Sequence, residues 1–267
     1  MDLTRRTLVG MLAALAAATA LAVGLQAHEG VDGGRSLYRY TVLRSDASPA
    51  CEYRYIELGP AGRTLSMQAA PGAEADDGGV LLTLERPFEL YQTRHPSLVV
   101  SANGYLAAAS TLDVDDGGDF SNDCPLRRTD ADAGTGPERI FVYHDDLRPR
   151  RDGGGQVRHA YFPTCPRDGG GTQPEGCTVI EWNGYERSGP LLSTQPLRAQ
   201  AVLYHTTRQV ALQYASIDDS RAASATIGLQ GLGGRAASVV GCDTVDTVRA
   251  QRAVCFFDPR YPPRRGD

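Results

Sequence analysis

The sequence predicts an all-β fold, a jelly-roll-like antiparallel β-sandwich with long acidic and Gly-rich loops, preceded by a helical signal peptide. Three observations lead there. Short runs rich in Val, Ile, Leu, Tyr and Thr recur between Gly, Asp and Pro punctuation, the pattern of sandwiches and barrels. Past the first two dozen residues, helical periodicity is hard to find. Six cysteines follow that segment, an even number, as expected of an oxidised, exported domain.

In chain order, residues 1–27 read as a secretory signal. A basic start at Arg5 and Arg6 leads into the Ala- and Leu-rich run 8–25, with small residues at Ala22 and Ala27 as cleavage positions. The same run also fits an uncleaved anchor, which would be the chain's one membrane contact. Thr4-Arg5-Arg6-Thr7-Leu8-Val9 resembles the twin-arginine signal for export of folded proteins. No other apolar run reaches the ~18 residues a membrane span needs. Residues 28–267 are expected to form a single sandwich domain. Strands are predicted at 36–43, 52–58, 79–84, 88–91, 97–102, 105–108, 139–143, 157–162, 177–182, 197–204, 209–215, 224–230, 238–242 and 253–257. Two hairpins stand out. Asn103-Gly104 suits a tight I′ turn between the fifth and sixth runs, and 199–204 with 210–214 flank a short connection, both arms alternating apolar and polar residues. The loops 71–78, 113–123, 130–136, 148–155 and 167–176 are long and acidic or Gly-rich, where sites on a rigid sheet scaffold usually lie.

Every one of the 27 basic residues is Arg, which points to GC-rich coding and, with the signal, to a bacterium. The formal net charge is −5 with acids and Arg interspersed, so no basic stripe exists for nucleic acid. Cys51, Cys124, Cys165, Cys177, Cys242 and Cys255 read as disulfides; the rival, zinc, lacks any Cys-x-x-Cys spacing. Six cysteines permit 15 pairings. Proximity along the chain favours Cys165–Cys177 across a Gly-rich loop and Cys242–Cys255 across a C-terminal hairpin, leaving Cys51–Cys124.

From about residue 79 to 231 a further order emerges: Pro87-Phe88-Glu89-Leu90-Tyr91, Val99 to Leu106 with its Asn-Gly turn, Tyr143-His144-Asp145-Asp146-Leu147, Val179-Ile180-Glu181-Trp182-Asn183, then Gln200 to Tyr204, Val210 to Tyr214 and Ala225-Thr226-Ile227-Gly228-Leu229-Gln230. This series resembles bacterial secreted β-sandwich modules similar to the nidogen-like domains of extracellular proteins. The resemblance implies an extracellular, non-catalytic module, and it makes the Asn-Gly hairpin, the Trp182 strand and the closing Ala-Thr-Ile-Gly strand structural features.

The leading chemical candidate is the acidic run carrying Asp113, Asp115, Asp116, Asp119, Asn122 and Asp123, because calcium takes six to eight hard oxygens from such flexible loops. It departs from an EF-hand, with Gly117 at the fifth position and Cys124 at the twelfth; the plainer alternative is an acidic turn tied down by Cys124. His144, Asp145 and Asp146 could ligate a metal or move a proton, although the resembled modules place that Asp pair at a strand end, where a turn-forming role is favoured. His159 and His205 would join them only if their strands were neighbours. Trp182 is expected in the core; exposed beside Tyr161 and Tyr185 it would instead be a sugar platform. No Gly-x-Ser-x-Gly or His-Glu-x-x-His motif occurs, and Gly153-Gly154-Gly155 and Gly169-Gly170-Gly171 open no phosphate loop. The expectation is a non-catalytic exported binding module, periplasmic or extracellular, with an extracellular protein or glycan as partner. The alternative is a secreted carbohydrate-binding protein or glycan-acting hydrolase.

Overall fold

The computed structural model describes residues 38–69, 76–109, 117–122, 124, 126, 136–169, 174–190 and 193–263. The signal-like segment 1–27 lies outside them, as do Asp113, Asp115, Asp116 and Asp123. Among the described residues fifteen strands form: β1 (Thr41–Arg44), β2 (Arg63–Thr64), β3 (Gln68–Ala69), β4 (Gly78–Leu90), β5 (Thr93–Ser101), β6 (Tyr105–Ala107), β7 (Arg139–His144), β8 (Leu147–Pro149), β9 (Gln156–Phe162), β10 (Cys177–Arg187), β11 (Leu197–Tyr204), β12 (Val210–Ser216), β13 (Thr226–Gln230), β14 (Ala237–Cys242) and β15 (Arg252–Phe257). They make two antiparallel sheets. The first runs β1-β15-β12-β11-β10-β9-β2, with β8 also on β10; the second runs β14-β13-β7-β6-β5-β4-β3.

The sheets pack face to face, as the alternation in β10 requires. Ile180 and Trp182 point into the core between the sheets, with Leu98, Val100, Leu106 and Ile140 opposite, while Val179 points to the outer face. Trp182 is 1% exposed and its indole N–H donates to the Ser101 carbonyl at 2.8 Å. The core role expected of it is therefore the observed one.

Each outer face carries its own apolar cluster, and each is roofed by a strap running across the strands. On the first sheet the predicted strand 52–58 is that strap. It joins no ladder, because it crosses the strands instead of lying beside one. Its backbone polar groups are satisfied by side chains standing up from the sheet: Arg54 N–H donates to Gln213 Oε1 at 2.7 Å, Ile56 N–H to Gln200 Oε1 at 3.3 Å, and Gln200 Nε2 donates back to the Ile56 carbonyl at 3.3 Å. Gln200 and Gln213 are cross-strand neighbours, so two adjacent amides replace the missing ladder. Ile56 and Leu58 press down onto Val179, Val202 and Ala211, and Arg63 and Thr64 then join the edge beside β9 as β2.

On the second sheet the strap is formed by 117–122, Cys124 and Leu126. Ser101 Oγ donates to the Gly117 carbonyl at 2.7 Å, Asp119 N–H to Tyr105 Oη at 3.2 Å, Asn122 Nδ2 to the Ser224 carbonyl, and Gln230 Nε2 to the Leu126 carbonyl at 2.7 Å. Leu126 closes a cluster with Val99, Tyr105, Ala107 and Phe141.

The straps decide the disulfides. Cys165–Cys177 forms as expected, but the other two expected pairs are corrected to Cys51–Cys255 and Cys124–Cys242. Cys242 ends β14 and Cys255 lies in β15, strands of different sheets, so no hairpin joins them. Cys51 and Cys124 sit on straps over opposite faces; each is bridged to the edge region of the sheet its strap covers.

Two turns also differ. The Asn103-Gly104 hairpin forms, but only Gly104 has positive φ, at 77°, so it is not a I′ turn. A Cβ on Gly104 would sit 2.1 Å from the Tyr143 carbonyl oxygen. Asn103 is held by its side chain, which accepts from Leu147 N–H and donates to Asp77, both at 2.9 Å. A two-residue hairpin turn with positive φ at both positions falls instead at Tyr91-Gln92 (44° and 72°), joining β4 to β5. Before that turn, β4 runs unbroken through the predicted runs 79–84 and 88–91 as far as Leu90, with a register shift against β5 between Thr83 and Phe88.

Replacing Gln200 with Leu should destabilise the fold by about 1–3 kcal/mol, since it strands two buried backbone groups of Ile56. Urea unfolding checks this; an unchanged midpoint would show that the Ile56 bonds contribute nothing.

Candidate functional site

A cleft of about 230 Å³ opens on the outer face of the second sheet, between the strap and strands β7 and β13. Asp119, Ser121 and Leu126 form its strap wall; Arg139, Phe141, His144, Thr226 and Gln230 come from the sheet, and Gly136, Pro137, Gly233 and Gly234 complete the lining.

Simple alternation along Arg139-Ile140-Phe141-Val142-Tyr143-His144 would send His144 inward with Ile140 and Val142. A β-bulge reverses this. The Gly104 carbonyl accepts from both Val142 N–H and Tyr143 N–H, each at 3.0 Å. On the other side β7 spends four residues, Phe141 to His144, against three of β13, Gly228 to Thr226. The extra residue turns Tyr143 into the core and His144 onto the face carrying Arg139 and Phe141, the re-aiming that bulges produce.

His144 is 2% exposed. Its Nδ1 lies 3.0 Å from the Asn103 carbonyl oxygen and its Nε2 lies 2.9 Å from that of Ser121. Both partners are acceptors, so a neutral ring donates to one of them at a time and the cation to both. Edge contact with Tyr105 at 4.7 Å fixes the ring plane. Arg139 lies over the Tyr105 ring at 5.2 Å and pairs with Asp119 Oδ2 at 2.7 Å. The other Asp119 oxygen accepts from Ser121 N–H at 3.0 Å and Ser121 Oγ at 2.9 Å. Burial opposes ionisation of Asp119, but His144 and the Arg139 hydrogen bond outweigh it and hold the carboxyl below its usual range.

Of the six residues proposed for calcium, Asp119 and Asn122 are described. Asp119 has both oxygens occupied by protein donors, and Asn122 holds the strap to Ser224. Among the described residues no group of three or more His, Cys, Asp or Glu gathers for a metal. Asp145 and Asp146 form the turn from β7 to β8. Asp145 Oδ1 accepts from Asp146 N–H at 2.9 Å, Oδ2 accepts from Ser224 Oγ at 2.7 Å, and Arg187 Nε lies 3.4 Å from Oδ1. His159 in β9 and His205 after β11 belong to the other sheet and do not approach His144. Tyr185 is 4% exposed beside buried Trp182, so the two offer no stacking face. Arg139, Tyr105, Phe141, Thr226 and Gln230 were not among the sequence candidates. The outward phase of β7 up to Phe141 was readable; the bulge that adds His144 was not.

The acid side of the stability curve should report His144. Burial pushes its imidazole below the usual range, against the opposing pull of Asp119 and the two carbonyls. The unfolded chain, titrating near about 6.5, then binds more protons than the folded one in the window below that value. Stability present above it is lost as pH falls through the window. His159 and His205 are likewise held low, chiefly by burial. Denaturation midpoints should fall between about pH 7 and 5, less steeply in His144→Gln; an unchanged slope would show that His144 does not titrate differently on folding.

The NIDO-related family model matches residues 51–254. No curated protein and no solved structure matches the chain. The matched span runs from the cysteine that anchors the first strap to β15, and so includes both sheets' central strands and the whole cleft. With more than half of its length under that match, and a two-sheet sandwich beneath it, the chain belongs to the NIDO-related family of nidogen-related domains.

Proposed function

We propose that the chain is an exported, non-catalytic interaction module and that the cleft over β7 and β13 is its working surface. The observation that supports this reading best is the construction of that cleft. Its floor is rigid sheet, its wall is pinned by the Arg139–Asp119 pair and by Cys124–Cys242, and its lining mixes apolar and polar groups. Phe120 and Leu232, chain neighbours of the lining, expose 54% and 59% of their surface. Apolar anchors beside orienting polar groups are how protein surfaces hold partners. Three disulfides and the family agree with export. A periplasmic or extracellular destination, reached through the Arg5-Arg6 signal of a bacterium, is the finer form of the proposal.

A photo-crosslinking residue placed at Ser121, on the cleft, should yield a discrete adduct in the native compartment. One at Pro60, over the opposite sheet, should not. Equal labelling from both positions, or from neither, would remove the cleft from the account. Turnover of a glycoside or peptide panel by the wild type, lost in Asp119→Asn, would replace the binding reading with a hydrolytic one. Arg5→Lys/Arg6→Lys should block export if the twin-arginine route is used; undiminished export would exclude that route.

A further inference from the structure

The three disulfides differ in how a thiol can reach them. Cys51 and Cys255 are fully buried, and Arg167 Nη2 donates to Cys255 Sγ at 3.2 Å. Cys177 is fully buried and Cys165 half-buried. Cys124 alone is exposed, at the end of the second strap, and its partner Cys242 is half-buried. We infer that Cys124–Cys242 is a thiol–disulfide exchange site for a dithiol reductant, and that opening it loosens the strap wall of the cleft.

The chemistry balances without further reagents. A thiolate of the dithiol attacks Cys124 Sγ, the accessible sulfur, and the S–S bond breaks with its electron pair leaving on Cys242. Thr226 Oγ1 lies 3.4 Å from Cys242 Sγ, placed to donate a hydrogen bond to the departing thiolate, and exchange is faster the better the leaving sulfur is stabilised. The second thiol of the reductant then attacks its own sulfur in the mixed disulfide, releasing Cys124. The protein disulfide gains two electrons and two protons; the dithiol loses them and closes its own disulfide.

Geometry links this exchange to the cleft. The strap is pinned near β5 to β7 by Ser101, Tyr105, Arg139 and His144, but beyond Asn122 its attachments among the described residues are the bridge to Cys242, the Gln230–Leu126 bond and the packing of the Leu126 side chain on the sheet. Cutting the covalent one leaves the Leu126 end of the wall on one described hydrogen bond and its apolar packing. The regulatory half of the inference rests on the cleft being the working surface; the exchange half does not, and the two are read separately.

The oxidised protein is titrated with dithiothreitol under native conditions, alkylated, and mapped by mass spectrometry, with hydrogen exchange measured at each step. Cys124 and Cys242 should be alkylated first while the other four cysteines stay protected, and amide protection should fall around Leu126 and 226–230 but not in β10 to β12. Thr226→Val should slow the exchange several-fold with unchanged folding. Reduction of Cys165–Cys177 first, or of all three bonds together, overturns the exchange site. Selective reduction with unchanged protection at the cleft overturns the loosening. Neither result depends on any ligand, so both are distinguishable from failure of the proposed function.

Discussion

An isolated sheet has two faces, and a sandwich buries only one face of each. In this protein the outer faces are apolar as well, so the fold depends on covering them without a third sheet. The two straps supply that cover. Each crosses its strands nearly edge to edge, where ladder hydrogen bonding is unavailable, and each would leave backbone groups stranded against an apolar surface. Buried, unpaired backbone groups are costly. The sheet answers with polar side chains planted among the outer apolar ones: Gln200 and Gln213 on one face; Ser101, Tyr105, His144 and Gln230 on the other. Disulfides then anchor one end of each strap to the sheet region beneath it.

The cleft is a consequence of this construction. The second strap stands off the sheet where β7 bulges, and the bulge exists because Gly104 brings its carbonyl between two successive amides of β7. No residue with a Cβ fits at position 104, given the Tyr143 carbonyl beside it. One glycine thus sets the bulge, the bulge sets the direction of His144, and His144 meets the strap at Ser121. Around it Asp119, Arg139 and Tyr105 form a compact polar arrangement on an otherwise apolar face, which gives the cleft a direction as well as a volume.

Much of the architecture was legible before the structure. The alternation of Ile180 and Trp182 against Val179 and Glu181 placed the Trp strand correctly, and the β11–β12 hairpin and the Cys165–Cys177 bridge followed from local spacing. What was not legible has common causes. Segment 52–58 looks like a strand because periodicity reports what faces the core and is silent about what lies alongside. Cys51 and Cys124 were paired with each other because nothing in the chain shows that they ride on opposite faces. Tyr91-Gln92 carries no glycine or asparagine to announce a turn. The site followed the same rule: His144 was singled out by its residue type, whereas Arg139 and Tyr105 gain meaning only when a strap is laid across them.

If the straps are integral to the fold, their side-chain-bonded amides must be as hard to open as the central strands. Native-state hydrogen exchange of the oxidised protein in rising urea measures this directly. The account predicts that the amides of Arg54 and Ile56 exchange only with global unfolding, merging with those of β10 to β12. Exchange of Arg54 and Ile56 through local opening, at a free energy well below that of the central strands, would contradict it and reduce the straps to surface loops.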